Sequence, residues 1–321
     1  MVDISVVIPC YNASEYLGKC LESLSHQSFK NFEIIIVDDC SIDNSISLAE
    51  KLVKEYRIEV RIIKNEKNMG PSYSRKNGIA IAAGEYIAFC DSDDYYDITY
   101  LEKMFLATEN RRHDVVFCDY NAVYSNGVIK KHENVKRMMQ YDRVSLIGQA
   151  SDSLCCMLVR KTLLSGLEFP NIRNGEDMAI IPVILSESNS VGYMEACIYN
   201  YVYRENSLSK KFTSEMIDSL KNSFLYIQKT MSNEYHDEIE FLGIKNYLYA
   251  SVLNYMKNKQ MPSKKDITEV VSWFTSEYPN WYKNKYFHSL PRYKKIYLSA
   301  VRHRLYGICR LLSMIHKYIS K

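Results

Sequence analysis

Gly84-Glu85-Tyr86-Ile87-Ala88-Phe89-Cys90-Asp91-Ser92-Asp93-Asp94 is an apolar run of strand length that ends in three carboxylates within four residues. In an open α/β sheet, ligands bind in the crevice beyond the carboxyl ends of the strands. Carboxylates crowded there repel one another unless a cation or a hydrogen-bonding ligand neutralises them. Hard oxygen donors one residue apart suit Mg2+ or Mn2+, above all an ion shared with a diphosphate. An Asp-x-Asp recurs by chance in a chain of this size, and its position after a strand is what gives it weight.

The surrounding chain alternates strand and helix. Residues 4–9 form a continuous apolar run, and 14–25 follow with Tyr16, Leu17, Leu21 and Leu24 at helical spacing. Residues 32–37 are the next strand. Ser41 or Asp43 can cap the helix that carries Ile46, Leu48, Ala49, Leu52 and Val53. A strand over 59–63, a helix over 71–83 and a strand over 86–90 complete a pattern that predicts a parallel, doubly wound α/β sheet flanked by helices. Further on, 115–124 and 128–131 are joined through Ser125-Asn126-Gly127 as a hairpin. Residues 134–150 show little periodicity and are expected to form a loop. A strand at 155–159, a helix from 176 to about 188 and a strand over 198–203 close the sheet region. Helices are then expected over 213–232, 236–258, 264–277 and 291–319. The spacing predicts two domains, residues 1–210 with the sheet and 211–321 all helical.

Composition narrows the function classes. A chain of 321 residues can bury one large core and an appendage, and its 47% hydrophobic and 25% charged residues are those of an ordinary folded protein. No stretch of about 19 residues is apolar enough to span a bilayer. Met1-Val2-Asp3-Ile4 enters a strand with no basic leader, so the expected location is the cytoplasm. The nine cysteines are scattered without a Cys-x-x-Cys pair, which argues against a zinc site or redox dithiol. They read as small buried hydrophobes in a reducing compartment. His26, His113 and His132 are isolated.

The net charge of +3 hides a split. Beyond Glu277 there is no acidic residue and there are ten basic ones, which leaves −7 for residues 1–277. Over 291–319, Tyr297, Val301, Leu305, Ile308, Leu312, Ile315 and Ile319 make an apolar stripe beside lysines and arginines. Such a helix can lie in an anionic membrane interface or dock on the protein's own helices. Binding of nucleic acid is not expected.

No Gly-x-Gly-x-x-Gly follows the first strand and no Walker loop is present, which removes a nicotinamide-dependent dehydrogenase and a P-loop enzyme. The first strand exits as Pro9-Cys10-Tyr11-Asn12 and the second as Val37-Asp38-Asp39-Cys40-Ser41-Ile42-Asp43. With Asp91, these exits converge on one crevice. Tyr11 offers a flat face for a base, Asp39 an acceptor for a base N–H and Asp91 an acceptor for ribose hydroxyls. Taken singly, Asp38 and Asp43 suit helix caps better than ligand positions.

The blocks VVIPCYN, VDDCSIDNS, NMGPSYSRKNGIAIAAGEYIAFCDSDD and NGEDMAIIPVIL closely resemble the family 2 inverting glycosyltransferases, in the family's order and spacing, over about residues 3–207. The resemblance implies the GT-A fold, a Rossmann-like, mostly parallel sheet flanked by helices, here with a C-terminal helical domain. It implies that Pro9, Tyr11 and Asp39 hold the nucleotide base, with Arg75 near base and phosphates. Asp91 is implied as the ribose contact with Ser92 beside it, and Asp93 as the ligand of Mn2+ or Mg2+. Asp94 either assists or caps the next helix. The pair Glu176-Asp177 looks like the family's catalytic base motif; taken alone it suits a helix N-terminus better. An inverting transfer needs a base to take the acceptor hydroxyl's proton, and a carboxylate within hydrogen-bond reach supplies it. Tyr199-Asn200-Tyr201-Val202-Tyr203-Arg204-Glu205-Asn206-Ser207 is similar to the family's Tyr-x-Tyr…Arg…Ser stretch, so Arg204 is expected either to pair with the diphosphate on closure or to make a surface salt bridge.

The processive members' Gln-x-x-Arg-Trp motif and membrane spans are missing, which implies transfer of a single sugar. The expected function is a metal-dependent hexosyl- or N-acetylhexosaminyl-transferase. It would use a UDP-sugar donor and a glycan acceptor on a lipid carrier, in capsule or cell-wall polysaccharide assembly at the inner membrane face. A sugar-nucleotide nucleotidyltransferase is the first alternative, but it needs a Gly-rich basic loop after the first strand. A non-catalytic nucleotide- or glycan-binding module is the second, and the acidic triplet with Glu176-Asp177 argues against it.

Overall fold

The structure, a computed structural model, describes residues 2–172, 175–204, 214–257 and 264–319. The chain divides into two compact units, Met1–Ser207 and Leu208–Lys321. The boundary expected near residue 210 falls outside the described residues.

In the first unit, β1 (Ile4–Cys10), α1 (Leu17–Ser25), β2 (Phe32–Asp38), α2 (Ser45–Tyr56), β3 (Val60–Lys64), α3 (Pro71–Ile81) and β4 (Tyr86–Phe89) alternate as the apolar runs predict. Every residue of β1 and β4 is buried, as strands covered on both faces require. The order β3-β2-β1-β4 is parallel throughout. Cys10 is registered with Asp38 and Val7 with Phe89, so the exits of β1, β2 and β4 share one edge. A Cβ on Gly78 would lie 2.4 Å from Val7 Cγ1, so the helix α3 lies closely on β1. Arg75 sits one turn earlier on that helix.

Beyond β4 the sheet becomes mixed. The remaining elements are β5 (Tyr95–Tyr96), α4 (Tyr100–Leu106), β6 (Val115–Tyr124), β7 (Ile129–His132), α5 (Val135–Met138), α6 (Arg143–Gln149), β8 (Met157–Arg160), α7 (Lys161–Ser165), α8 (Glu176–Glu187) and β9 (Val191–Tyr203). Strand β8 runs antiparallel between β4 and β6, β9 pairs parallel with β6, and β5 caps the edge. Two expectations need correction. Residues 134–150 hold α5 and α6 rather than a loop, with Val135, Met138, Leu146 and Ile147 buried. These helices are too short for a periodic signal. They are started by carboxylates instead: Asp119 accepts from Asn134 N and Val135 N, and Asp142 accepts from Ser145 N. The last strand begins at Val191, seven residues before the expected start, because register shifts around Asp119 break its alternation.

The second unit is helical: α9 (Ser214–Thr230), α10 (His236–Leu242), a π-helical segment (Gly243–Tyr249), α11 (Ala250–Lys257), α12 (Lys264–Glu277), α13 (Arg292–Arg302) and α14 (Tyr306–Ile319). Its core is aromatic, with Phe224, Tyr247 and Phe274 in mutual ring contact and Trp281 buried beside Phe274. The single helix expected over 291–319 breaks between α13 and α14. Arg304 takes φ 55°, Leu305 N donates to Ala300 O at 2.9 Å and Arg304 N to Val301 O at 3.0 Å. These paired bonds close a helix in the Schellman manner, here without the usual glycine. No described helix is long and apolar enough to cross a membrane.

Candidate active site

The parallel edge is stitched together before any ligand is considered. After β1, Asn12 N donates to Ser41 Oγ, Ala13 N to Ser45 Oγ and Ser14 N to Asp43 Oδ2. Ile42 N donates back to Asn12 Oδ1. Asp43 therefore ties two loops, and its Oδ1 also accepts from Ser45 N at 3.0 Å, which caps the start of α2 as expected. Pro9 is buried in β1, whereas Tyr11 projects with 48% of its surface exposed. Asp39 is buried. Its oxygens accept from Asn65 Nδ2 at 2.7 Å, Met69 N at 2.9 Å and Gly70 N at 2.7 Å. It shapes the loop that leads into α3, where Gly70 (φ 88°) precedes Pro71 at the first helical turn. Asn65 is a member that sequence reasoning missed: it also donates to Ser74 Oγ and accepts from Asn77.

Arg75 is the hub of the acidic crevice. Its guanidinium is buried and donates to Asp91 Oδ1 at 2.8 Å and to Glu176 Oε1 at 3.0 Å, with Asp177 Oδ1 at 3.5 Å. One cation thus holds the end of β4 against the start of α8. Gly175 (φ 89°) turns the chain into α8 in a conformation that favours glycine, and Glu176 and Asp177 occupy its first turn. Asp177 Oδ2 accepts from Leu154 N at 3.0 Å, whereas Oδ1 is buried with no hydrogen-bond partner. Burial pushes the Asp177 carboxyl up to about 7; Arg75 opposes the rise, and Glu176 and Asp91 add to it.

The triplet after β4 splits into three environments. Asp91 faces Arg75. Asp93 is ion-paired with Arg204 at the end of β9, and that guanidinium also lies 4.8 Å from the Tyr16 ring. Asp94 is 2% exposed, accepts from Tyr199 OH and accepts from Val202 N at 2.7 Å. It does not cap the next helix; it anchors β9. Burial, reinforced by Asp91, holds its carboxyl well above the usual range. Ser92 is half-buried in the turn between them. Carboxylate oxygens of Asp91, Asp93 and Asp94 come within 4.8 Å of one another. With Asp94 committed to β9, Asp93, here paired with Arg204, and Asp91 are the carboxylates that a cation would meet. That donor set fits Mg2+ or Mn2+, which bind one or two carboxylates and complete their shell from substrate phosphate and water. Glu205, Asn206 and Ser207 lie outside the described residues.

A parallel α/β half with an acidic carboxyl edge, extended by a mixed sheet and followed by a helical unit, defines the GT-A class of fold. The structure of S. aureus TarS 1–349 in complex with UDP-GlcNAc superposes with a TM-score of 0.75 at 19% identity, covering 99% of this chain and 92% of that one. The family model "Glycosyl transferase family 2" matches residues 5–167, about half of the sequence, and the chain belongs to that family. It is 29% identical over 228 residues to "Putative glycosyltransferase EpsH" of Bacillus subtilis, covering 67% of this chain and 65% of that protein. It is 31% identical over 219 residues to an "Uncharacterized glycosyltransferase" of Haemophilus influenzae, covering 66% and 84% respectively. Against "Glycosyltransferase GlyA" of Streptococcus pneumoniae it is 28% identical and spans only 33% of that longer chain.

Proposed function

We propose that the protein is an inverting, non-processive glycosyltransferase that moves one hexosyl or N-acetylhexosaminyl group from a UDP-sugar to a hydroxyl of a lipid-linked glycan. The setting would be assembly of a cell-wall or capsule polymer at the cytoplasmic face of the membrane. The observation that carries this reading is Asp177. It is held at a helix start by Leu154 N and Arg75, keeps one oxygen without a hydrogen-bond partner, and titrates near the pH at which a general base works best.

In this reading Asp177 takes the proton of the acceptor hydroxyl as its oxygen bonds to the anomeric carbon. The bond from that carbon to the diphosphate oxygen breaks, and UDP leaves with the electron pair. A single displacement inverts the anomeric centre and needs no protein nucleophile. Tyr11 would stack on uracil and Asp91 would accept from ribose, with Pro9, Asp39 and Ser92 shaping the base pocket. Arg75 would set the carboxylates in place from beneath. Asp93 would hold Mn2+ or Mg2+, which when bound offsets the charge that grows on the leaving diphosphate. Arg204 would exchange Asp93 for the diphosphate. The TarS complexes with UDP and UDP-GlcNAc support a UDP-sugar donor. A teichoic-acid or polysaccharide setting is supported by the similarity to "Minor teichoic acid biosynthesis protein GgaB" of Bacillus subtilis, 26% identical over 245 residues.

The test is calorimetric titration with UDP, with and without Mn2+, and with GDP as control. Metal-dependent binding of UDP with little response to GDP is the expected result. Binding of GDP alone would change the donor class, and binding of neither would remove the nucleotide site and the reading with it.

A further inference from the structure

Six of the fifteen large hydrophobic side chains that stay exposed among the described residues fall between residues 293 and 314: Tyr293, Ile296, Leu305, Ile308, Leu311 and Met314. Scattered exposed apolar residues need no explanation, but a clustered set marks a contact surface. The cluster coincides with the part of the chain that has ten basic residues and no acidic one.

Helix α14 shows how the two features combine. Cys309 and Ser313 are buried on the side that meets α11 and α13. At about 100° per residue, Ile308, Leu311 and Met314 follow one another round the other side. They keep 46%, 55% and 56% of their surface exposed. Arg304 and Arg310, both exposed, stand before and within this helix. The helix therefore has one side covered by its own unit and an apolar side that stays exposed. The stripe's Ile315 and Ile319 lie beyond the residues whose side chains are described.

An uncovered apolar face set among cations fits a surface that is itself apolar below and anionic above. A second copy of the chain would bring the same positive charge to the contact, which argues for lipid over self-association. No described helix can cross a bilayer, so the helix would lie along it. We infer that α13 and α14 dock the protein on an anionic lipid bilayer, with Ile308, Leu311 and Met314 at the acyl–headgroup boundary and Arg304 and Arg310 against lipid phosphates. Long arginine stems can follow the apolar surface while their heads reach the phosphates. This deepens the proposal of a lipid-linked acceptor and rests on it only for its purpose.

The test needs neither donor nor acceptor, so its failure leaves the transferase reading intact. The whole chain is sedimented with vesicles of phosphatidylglycerol mixed with phosphatidylcholine, and with phosphatidylcholine alone. Binding to the anionic vesicles only is expected. Each of two variants, Ile308→Ser/Leu311→Ser/Met314→Ser and Arg304→Glu/Arg310→Glu, should weaken it about tenfold or more. All five side chains are exposed, so an unchanged circular dichroism spectrum is expected alongside. Absence of wild-type binding, or wild-type affinity in the apolar variant, would overturn the inference. So would a lipid-free dimer that the apolar variant turns into a monomer while vesicles go unbound, since the face would then belong to a second copy.

Discussion

Two acidic clusters, one in each unit, make an instructive pair. In the helical unit, Glu238 is 1% exposed and accepts from Tyr286 OH and from Lys285 Nζ at 3.1 Å. Asp237 meets the same lysine at 3.0 Å, and Glu240 accepts from Asn284 Nδ2 at 2.7 Å. No atom of these carboxylates is among the buried polar atoms that lack a partner. In the sheet unit, Arg75 faces three carboxylates, and one oxygen of Asp177 is left over. A buried acidic cluster whose groups are all partnered holds a fold together; one that keeps an oxygen without a hydrogen bond at a helix start, as Asp177 does, is a candidate for chemistry.

The contrast breaks most readily at Asp177. Asp177→Asn should lower turnover by roughly 10²- to 10⁴-fold while leaving the melting temperature unchanged or higher, measured as UDP release with a suitable donor. Unchanged turnover would remove the base assignment and reduce the two clusters to one kind. Tyr286→Phe should do the opposite. Leaving the Glu238 carboxylate short of a donor should cost roughly 1–3 kcal/mol in urea unfolding, with activity per folded molecule intact. A loss of activity at full stability would make the helical cluster functional after all.

The smallest effect sharpens the comparison through pH. On the proposed assignment the ionised form of Asp177 acts as the base, and with its pKa raised to about 7 the rate should climb with pH and level off above about 7. Stability should run the other way. The folded state binds this proton more tightly than the unfolded chain, so the contribution is full below the unfolded carboxylate pKa and is lost as pH rises through about 7. In Asp177→Asn the slope of the rate should vanish and that of stability should lessen, with Asp94 still contributing to it. A wild-type rate that is flat between pH 5 and 8 would place the essential base elsewhere.

Most of the parallel edge was legible because β1, β2 and β4 are continuous apolar runs whose exits are acidic or aromatic, a local pattern that needs no tertiary information. Three things were not legible. Arg75 was expected beside base and phosphates, and its burial against Glu176 depends on a pairing 101 residues away. Asp94 was left between a ligand role and a helix cap, whereas its partners Tyr199 and Val202 lie more than a hundred residues downstream. The stripe from Tyr297 to Ile319 reads as one seam at helical spacing, yet it is divided at Arg304. Tyr297 and Val301 are buried there, while Leu305 and Ile308 are exposed. The residue at the break is an arginine rather than a glycine or proline, and Gly307 comes only after α14 has begun, so periodicity alone runs straight through it.

The tether from Asp94 to the Val202 amide has a mechanical meaning. It pins the backbone of β9 two residues before Arg204, and it does so from the residue next to Asp93. The arginine and the carboxylate it pairs with therefore hang from a common pivot. An exchange of Asp93 for a diphosphate, as proposed, would then ask only the Arg204 side chain to move, with its backbone kept beside the acidic turn.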